Sequence, residues 1–598
     1  MSVAIPAPEG APFNAEQKEY LSGFAAGLSA RGFLPFVGQR ADGLLTHVPG
    51  EAPANLAAPA KEPETWFGVP LDELAKEERI KLEENPLDIW DKILRHAAED
   101  RAPEGGDVFR FKFHGLFYVA PAQDSFMVRI RMPGSSLTAH QMRGLARIAR
   151  DWGGGYADVT TRSNVQIREF APRNIVNLLT ALSDLGLTSR GSGADNVRNI
   201  TATPTSGLDP TELYDVRPLA RGLQLYIGNS RDLFGLPRKF NVAFDSGGAV
   251  SIVSDTNDIG FVATRVREGH DVEPGIYFRV LLAGITGHKR FAEDSGLLLK
   301  PEECVAVAAA MLRAYAETGD RTDRKKARLC YVIDRIGVPG FLDLTAKKLS
   351  FPLRFAPLEI CEPRRPIVKH GHLGIHPQKQ PGLNYIGISI PVGRVSPEQM
   401  EALAELAERC GSGDLRLTVW QNVILPDVPD DKLDEAKAAI RAMGFDWRAS
   451  GVAGGLVACT GNTGCRFAAT NTKGQAVALG AYLDERVPLD APLNIHLTGC
   501  PHSCAQHYVG DIGLLGAKVE TESGSVEGYH VYVGGGSDHE QGLARELAKS
   551  VPFDEVPPLL ARLLEAFRAR RREGESFVDF ARRHEIEALR AMAAEGAK

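Results

Sequence analysis

The 598 residues carry a formal charge of -7 and are 43% hydrophobic, enough for ordinary globular cores, roughly three or four domains by length, and an argument against general nucleic-acid binding. No apolar run of about 18 residues and no basic leader ahead of an apolar core is present, so a soluble, cytoplasmic protein without membrane contact is expected. Eight cysteines are too few for a disulfide scaffold in so long a chain and fit a reducing compartment.

In chain order, Ala15 to Arg31 reads as a helix, and a loop rich in Pro, Ala and Gly follows it. Leu71 to Ala98 reads as a charged amphipathic helical stretch interrupted at Pro86, away from any chemistry. A β-α-β-α pattern then begins: strand Phe126 to Met132, a helix opened by the capping box Thr138-x-x-Gln141, a strand ending near Gln166-Ile167-Arg168, and a helix from about Arg173 to Leu182. The pattern returns as strand Leu383 to Ile390, capping box Ser396-x-x-Gln399, strand Leu415 to Leu425 and helix Asp431 to Met443. Gln141-Met142 and Gln399-Met400, Asn164-Val165 and Asn422-Val423, and Gly186 and Gly444 each stand 258 positions apart, the mark of an internal duplication. With one residue of slippage it continues: Ala202 to Leu208 aligns with Cys459 to Cys465. Two related halves around a pseudo-two-fold axis would place a ligand between them.

Four cysteines fall in two pairs, Cys459 with Cys465 and Cys500 with Cys504. Thiolates are the usual ligands of iron–sulfur clusters. C-x5-C followed by C-x3-C fits structural zinc poorly, since zinc modules favour closer pairs, yet zinc stays open on spacing alone. Gly461, Gly464 and Gly499 imply backbone wrapped closely around something. Cys304, Cys330, Cys361 and Cys410 lie apart and are expected to be buried structural thiols. The first copy has cations where the second does not: Arg129 matches Gly387 and Arg162 matches Trp420. Its basic set continues through Arg198, Arg238 and Lys239. Arg129 and Arg131 share one face of an apolar strand, a place for cations only if something anionic faces them.

These residues resemble the ferredoxin-dependent nitrite reductases and the assimilatory sulfite reductase hemoproteins, from about Phe109 to the C-terminus. The resemblance rests on the four cysteines, T-G-C-P-H-S-C-A-Q with D-I-G-L-L-G after it, L-P-R-K-F-N, and G-I-H-P-Q-K-Q-P-G-L. It implies an α+β, internally duplicated fold with two ferredoxin-like half-domains and two larger α+β lobes. The expected boundaries are an N-terminal helical extension at 1–105, half-domains at 106–190 and 356–448, a siroheme and substrate lobe at 191–355, and an iron–sulfur lobe with C-terminal helices at 449–598. It further implies a siroheme beside a 4Fe-4S cluster, the cluster held by Cys459, Cys465, Cys500 and Cys504, and the sulfur of Cys504 shared with the siroheme iron. Arg162, Gln166 and Arg238 would face the siroheme carboxylates, and Arg129, Arg198 and Lys239 the substrate anion.

Asn241 stands where sulfite reductases commonly carry a second lysine, which favours nitrite, a monoanion, over sulfite. His502 and Ser163 depart from frequent family residues without removing a ligand; packing or a supporting contact is expected of His502. No dinucleotide fingerprint is present, so reduced ferredoxin is the implied donor, docking on Arg321 to Arg328 or Arg568 to Arg572. Arg321 to Arg328 would alternatively serve the siroheme. The expected activity is six-electron reduction of nitrite to ammonium by a monomer. A sulfite reductase, a corrin-ring oxidase and a non-catalytic iron–sulfur protein are the rivals.

Overall fold

The structure, a computed structural model, describes residues 64–595 apart from 449 and 523; the helix expected at Ala15 to Arg31 lies outside them. Strands β1 (Thr65–Trp66) and β2 (Val69–Pro70) pair as a small hairpin. The charged stretch forms two helices, Lys76–Glu83 and Trp90–Ala98, with the break around Pro86 where the amide donor is missing.

The first half-domain contains β3 (Leu116–Val119), β4 (Ser125–Arg129), β5 (Ser136–Thr138), β6 (Ala157–Val159) and β7 (Val165–Phe170). Four of these build an antiparallel sheet in the order β3-β4-β7-β6. A lobe follows in which β8 (Thr201–Ala202), β9 (Val242–Asp245) and β10 (Ile259–Val266) run parallel, while β11 (Gly275–Leu282) and β12 (Glu293–Leu299) add antiparallel. The second half-domain repeats the first with β13 (Gly374–Pro377), β14 (Leu383–Ile388), β15 (Arg394–Val395), β16 (Asp414–Leu417) and β17 (Val423–Pro429), in the order β13-β14-β17-β16. The second lobe repeats its counterpart. Its strands β18 (Leu456–Ala458), β19 (Ile495–Thr498) and β20 (Ile512–Thr521) are parallel, and β21 (Gly524–Val533) and β22 (Arg545–Pro552) antiparallel.

The half-domains are joined by a reciprocal exchange. Strand β5 leaves its own sheet and completes the other at β16, with Leu137 opposite Leu415, while β15 completes the first at β6, with Val395 opposite Ala157. One edge of each half-domain sheet is thus covered by the other copy. Both capping boxes form as the sequence predicts, Gln141 N–H donating to Thr138 Oγ1 and Gln399 N–H to Ser396 Oγ, each at 3.2 Å. Both glutamine amides then donate to the loop beyond the following helix, at Leu185 and Met443, each at 3.1 Å. The two capped helices pack together over one shared apolar core.

One expectation fails: Leu415 to Leu425 is not a single strand but the hairpin of β16 and β17. Its turn closes between Thr418 N–H and Asn422 carbonyl at 3.0 Å, with Gln421 at φ +63°. No glycine marks that left-handed position, so an apolar run reads straight through it. The expected strand Phe126 to Met132 likewise ends at Arg129.

Candidate active site

The parallel strands of the second lobe aim the cysteines. Cys459 directly follows β18 and Cys500 follows β19, so both leave the carboxyl ends of neighbouring strands, the usual place for a ligand in such sheets. All four thiols line one cavity of about 320 Å³. The backbone around them is tight: Gly461 has φ +73°, and a Cβ there would stand 2.7 Å from the Thr472 nitrogen. Gly499 N–H donates to Cys459 Sγ at 3.2 Å and Thr472 Oγ1 to the Cys459 carbonyl at 2.7 Å. From β7 of the other copy, Arg168 donates to Thr460 Oγ1 at 2.8 Å and to the Gly464 carbonyl at 3.2 Å. Burial pushes the Cys500 thiol up to about 12 and raises Cys459, so a cation must displace protons to bind. Among the described residues no three His, Cys, Asp or Glu side chains converge on a single ion. Four thiols spread around a cavity suit a multi-atom cluster better than tetrahedral zinc. Cys304, Cys330, Cys361 and Cys410 are buried, as expected.

A second cavity, about 460 Å³, adjoins the first. Arg129, Arg162, Gln166, Arg198, Arg238, Lys239, Asn241 and Cys504 all line it, with Arg324, Lys325 and Arg328. Arg129, Gln166, Thr160, Thr161 and Cys504 belong to both cavities. Arg198 lies just ahead of β8 and Lys239 and Asn241 just ahead of β9, at the amino ends of one lobe's strands, whereas the thiols follow the carboxyl ends of the other's; Arg129 and Arg162 come from the end of β4 and the β6–β7 turn of the half-domain. Thr161 ties the two together by donating to the Cys504 carbonyl at 3.0 Å.

The cations are held by groups that the sequence did not single out. Arg129 and Arg198 donate to the same Ser192 carbonyl, at 3.3 and 3.1 Å. Arg162 donates to Asn257 Oδ1 at 2.5 Å. Buried Asp258 accepts from Arg328 at 2.6 Å and from the Asn241 N–H at 2.8 Å; buried Asp195 accepts both ends of Arg324, at 2.7 and 2.8 Å. These carboxylates lie behind the wall, and none lines the cavity. Burial lowers Lys239 to about 7 and holds Arg129 and Arg162 at about 10; it lowers Arg198 further, with repulsion from Arg129 adding to it. The Nε atoms of Arg162 and Arg198 are buried without a partner. So much uncompensated positive charge calls for an anionic occupant.

Three expectations change here. Arg131 shares a face with Arg129 but does not line the cavity; it donates to the carbonyls of Arg190, Gly191 and Val197 at 2.7–2.8 Å and pairs with Gln224. Arg321 to Arg328 turns largely inward: Arg321 and Arg328 are buried and Arg324, Lys325 and Arg328 form cavity wall, while Lys325 and Lys326 are exposed. Arg568 to Arg572 is the more exposed of the two basic stretches, and there Arg571 pairs with Asp490 at 2.6 Å and Arg570 with Glu595 at 2.7 Å. Lastly, the stretch taken to be remote from chemistry supplies buried Glu78, which pairs with Arg321 at 2.6 Å and with Lys81.

His502 sets Nδ1 3.4 Å from Cys500 Sγ and its ring edge-on to Phe467, a supporting contact on the cavity rim. Ser163 takes the left-handed turn position ahead of Asn164, at φ +49°. Residues 193–353 and 454–598, which carry Arg198, Arg238, Lys239 and the four thiols, match the family model described as nitrite and sulphite reductase 4Fe-4S domain. Residues 119–185 and 376–443 match the nitrite/sulfite reductase ferredoxin-like half domain. The chain belongs to the nitrite and sulphite reductase family. Among its relatives, a ferredoxin–nitrite reductase of Synechococcus elongatus is 36% identical over 82% of this chain and 96% of its own length. An assimilatory ferredoxin-dependent nitrite reductase of Haloferax mediterranei is 32% identical over 83% and 90%. Among solved structures, the Mycobacterium tuberculosis NirA protein superposes with a TM-score of 0.79 at 28% identity, covering 86% of this chain and 98% of that one. The duplicated α+β fold of the family is thus the fold of this chain, and the sequence duplication is the family's own.

Proposed function

We propose that the chain reduces nitrite to ammonium by six electrons drawn from reduced ferredoxin, with a siroheme in the cation-lined cavity and a 4Fe-4S cluster on Cys459, Cys465, Cys500 and Cys504. The observation that carries this reading is the meeting of the two cavities at Cys504, one lined by thiols and the other by cations with no lining carboxylate. The residues fit these groups: buried guanidinium nitrogens lack partners, and siroheme brings many carboxylates. When bound, the coupled pair supplies single electrons to the substrate anion.

The protein's own part is electrostatic and geometric. Arg129, Arg198 and Lys239 draw a small anion into the cavity and hold its oxygens. The arginines keep their protons, whereas Lys239, brought by burial to about 7, can also give one up. Arg162, Gln166 and Arg238 orient the tetrapyrrole carboxylates. Asn241 adds no charge, which suits a monoanion; its backbone is fixed by Asp258. This reading carries the domain boundaries given above and a reducing, cytoplasmic setting in which thiolates survive. Among the described residues no helix is long and apolar enough to cross a membrane.

Steady-state turnover of purified holoenzyme with nitrite and with sulfite, using reduced ferredoxin, tests it, alongside an absorbance spectrum. Tetrapyrrole bands and a large preference for nitrite are expected. A preference for sulfite would make the chain a sulfite reductase, and cluster absorbance alone in a fully loaded sample would remove the catalytic reading altogether.

A further inference from the structure

Because the fold is duplicated, the cation cavity should have a mate, and it does: a cavity of about 40 Å³ where Val419 and Trp420 replace Thr161 and Arg162. Strand register fixes the rest of the correspondence. Val242 pairs with Ile259 as Ile495 pairs with Ile512, so Asn494 stands for Asn241 and Ser251 for Cys504. Trp420 stacks on buried His372, ring centroids 4.2 Å apart and planes within 9°, and fills the space that a macrocycle would need. What remains has room for about three waters.

This small cavity has an apolar side at Val419, Trp420 and Val457 and a polar side at Ser251, Asn494, His496 and Asp538, and it shares Thr161 and Gln506 with the catalytic one. His496, 6% exposed, lines it with its Nε2 unpartnered, while its Nδ1 lies 3.2 Å from the Gln506 carbonyl. Asp538, on its other side, accepts from Ser251 Oγ at 2.6 Å, and its own N–H donates to Asp255 Oδ2 at 2.8 Å. Asp255 is 3% exposed, accepts from Gln541 at 2.9 Å, and keeps Oδ1 without a partner. Asp245 behind the pair is matched by Arg364 at 2.9 Å, and Lys369 on the rim by Glu540 at 2.8 Å and by Asp511.

Reducing nitrite to ammonium takes up eight protons with the six electrons and releases two waters. The arginines of the wall give up none, and Lys239, Lys325, His288 and His502, the other ionisable groups that line it with Cys504, would each have to be recharged every time. We propose that the degenerate second cavity is the proton antechamber of the reaction, with Asp538 as the relay residue that feeds water held there. The Asp538 O–H bond breaks and the proton passes to a cavity water, which hands one on past the Thr161 hydroxyl and the Gln506 amide to an oxygen or nitrogen of the reacting anion. The acid pair then refills from solvent at the rim, by His539 and Glu540. Burial, and then the like charges of Asp255 and Asp245, hold the Asp538 carboxyl far above the ordinary range, against the pull of Ser251 and Arg364; Asp255 is raised by burial as well. A carboxyl so raised beside a second one keeps its proton to near neutral pH.

The inference rests on the nitrite-reductase reading, and two measurements separate their fates. Infrared difference spectra of the holoenzyme across pH 5–9 are expected to show a protonated carboxylic acid band that shifts in heavy water and is absent from Asp538→Asn. Turnover of Asp538→Asn is expected to fall about tenfold or more, with KM for nitrite unchanged, a larger solvent isotope effect and a lost alkaline limb; Asp538→Glu recovers most of the rate. A parent enzyme with no such band overturns the proposal even if Asp538→Asn does not fold. A variant within twofold of the parent at every pH overturns it too. A parent that shows the band but fails to reduce nitrite defeats the functional reading, and with it the proton's use in this reaction, while locating the proton on Asp538.

Discussion

Arg168→Met probes the clasp between the copies. Arg168 is 4% exposed, reaches from β7 into the Cys459–Cys465 loop, and donates to Thr460 Oγ1 and the Gly464 carbonyl. Hydrogen bonds from a charged donor contribute about 1.5–3 kcal/mol each, so the two together hold the loop by about 3–6 kcal/mol. Methionine keeps the stem's packing and spares the guanidinium its burial, which returns part of that. Asp158 loses a partner at 3.7 Å but keeps Lys473 at 3.4 Å and Arg394 at 3.0 Å. The net loss is then about 3 kcal/mol. If iron is reached only when the loop opens, that loss raises the opening population on the order of a hundredfold. The assay is anaerobic bleaching of cluster absorbance by an iron chelator, followed in parent and variant, with urea denaturation beside it. Bleaching within threefold of the parent, at equal stability, would refute the view that a residue of the cation copy holds the thiol loop closed.

Asn241→Lys should shift the nitrite-to-sulfite rate ratio toward sulfite by about tenfold with both cofactors retained, since it adds a full charge to the anion site; an unchanged ratio ends the substrate argument. Cys504→Ser should retain fold and core, because Cys504 is exposed to the cavities, yet lose the paired absorbance of cluster and tetrapyrrole. Without cofactors, the chain should grow more stable as pH rises from about 7 to about 10.5: over that window the unfolded Lys239 is protonated and the folded one, lowered by burial, is not. Lys239→Met should flatten that slope in urea melts at stepped pH, and a slope kept in the variant would assign it elsewhere.

Patterns that repeat at fixed spacing were legible in the sequence. The constant offset between Gln141 and Gln399 found the duplication, because a capping box is a local device whose partners lie three residues apart. The cysteines were found by their spacing, and the cations because two copies could be subtracted from one another. The exchange of β5 and β15 left no mark, since a strand of two or three residues pairs equally well with its own sheet or its neighbour's until packing decides. Asp195 and Asp258 were also missed: their task is set by guanidinium groups far along the chain. Glu78 was misjudged for a related reason, as a charged helix looks solvated until its partner Arg321 is seen to be buried.

The placement of charge explains why the two copies diverged as they did. Carboxyl ends of β18 and β19 carry the thiols, while amino ends of β8 and β9 carry Arg198 and Lys239, and the end of β4 and the β6–β7 turn carry Arg129 and Arg162. Reciprocal exchange of β5 and β15 brings those opposite ends together, so each copy needs only one kind of ligand. Had both copies kept both, two cavities lined by buried cations would each bear the desolvation burden that already lowers Arg129, Arg162, Arg198 and Lys239. Trp420 stacked on His372 removes that burden from the second cavity by replacing a cation with neutral rings. The double substitution Trp420→Arg with Val419→Thr would restore it, and is expected to destabilise the protein by several kcal/mol. Urea melts showing parent-like stability would mean that the second cavity was emptied for some reason other than charge.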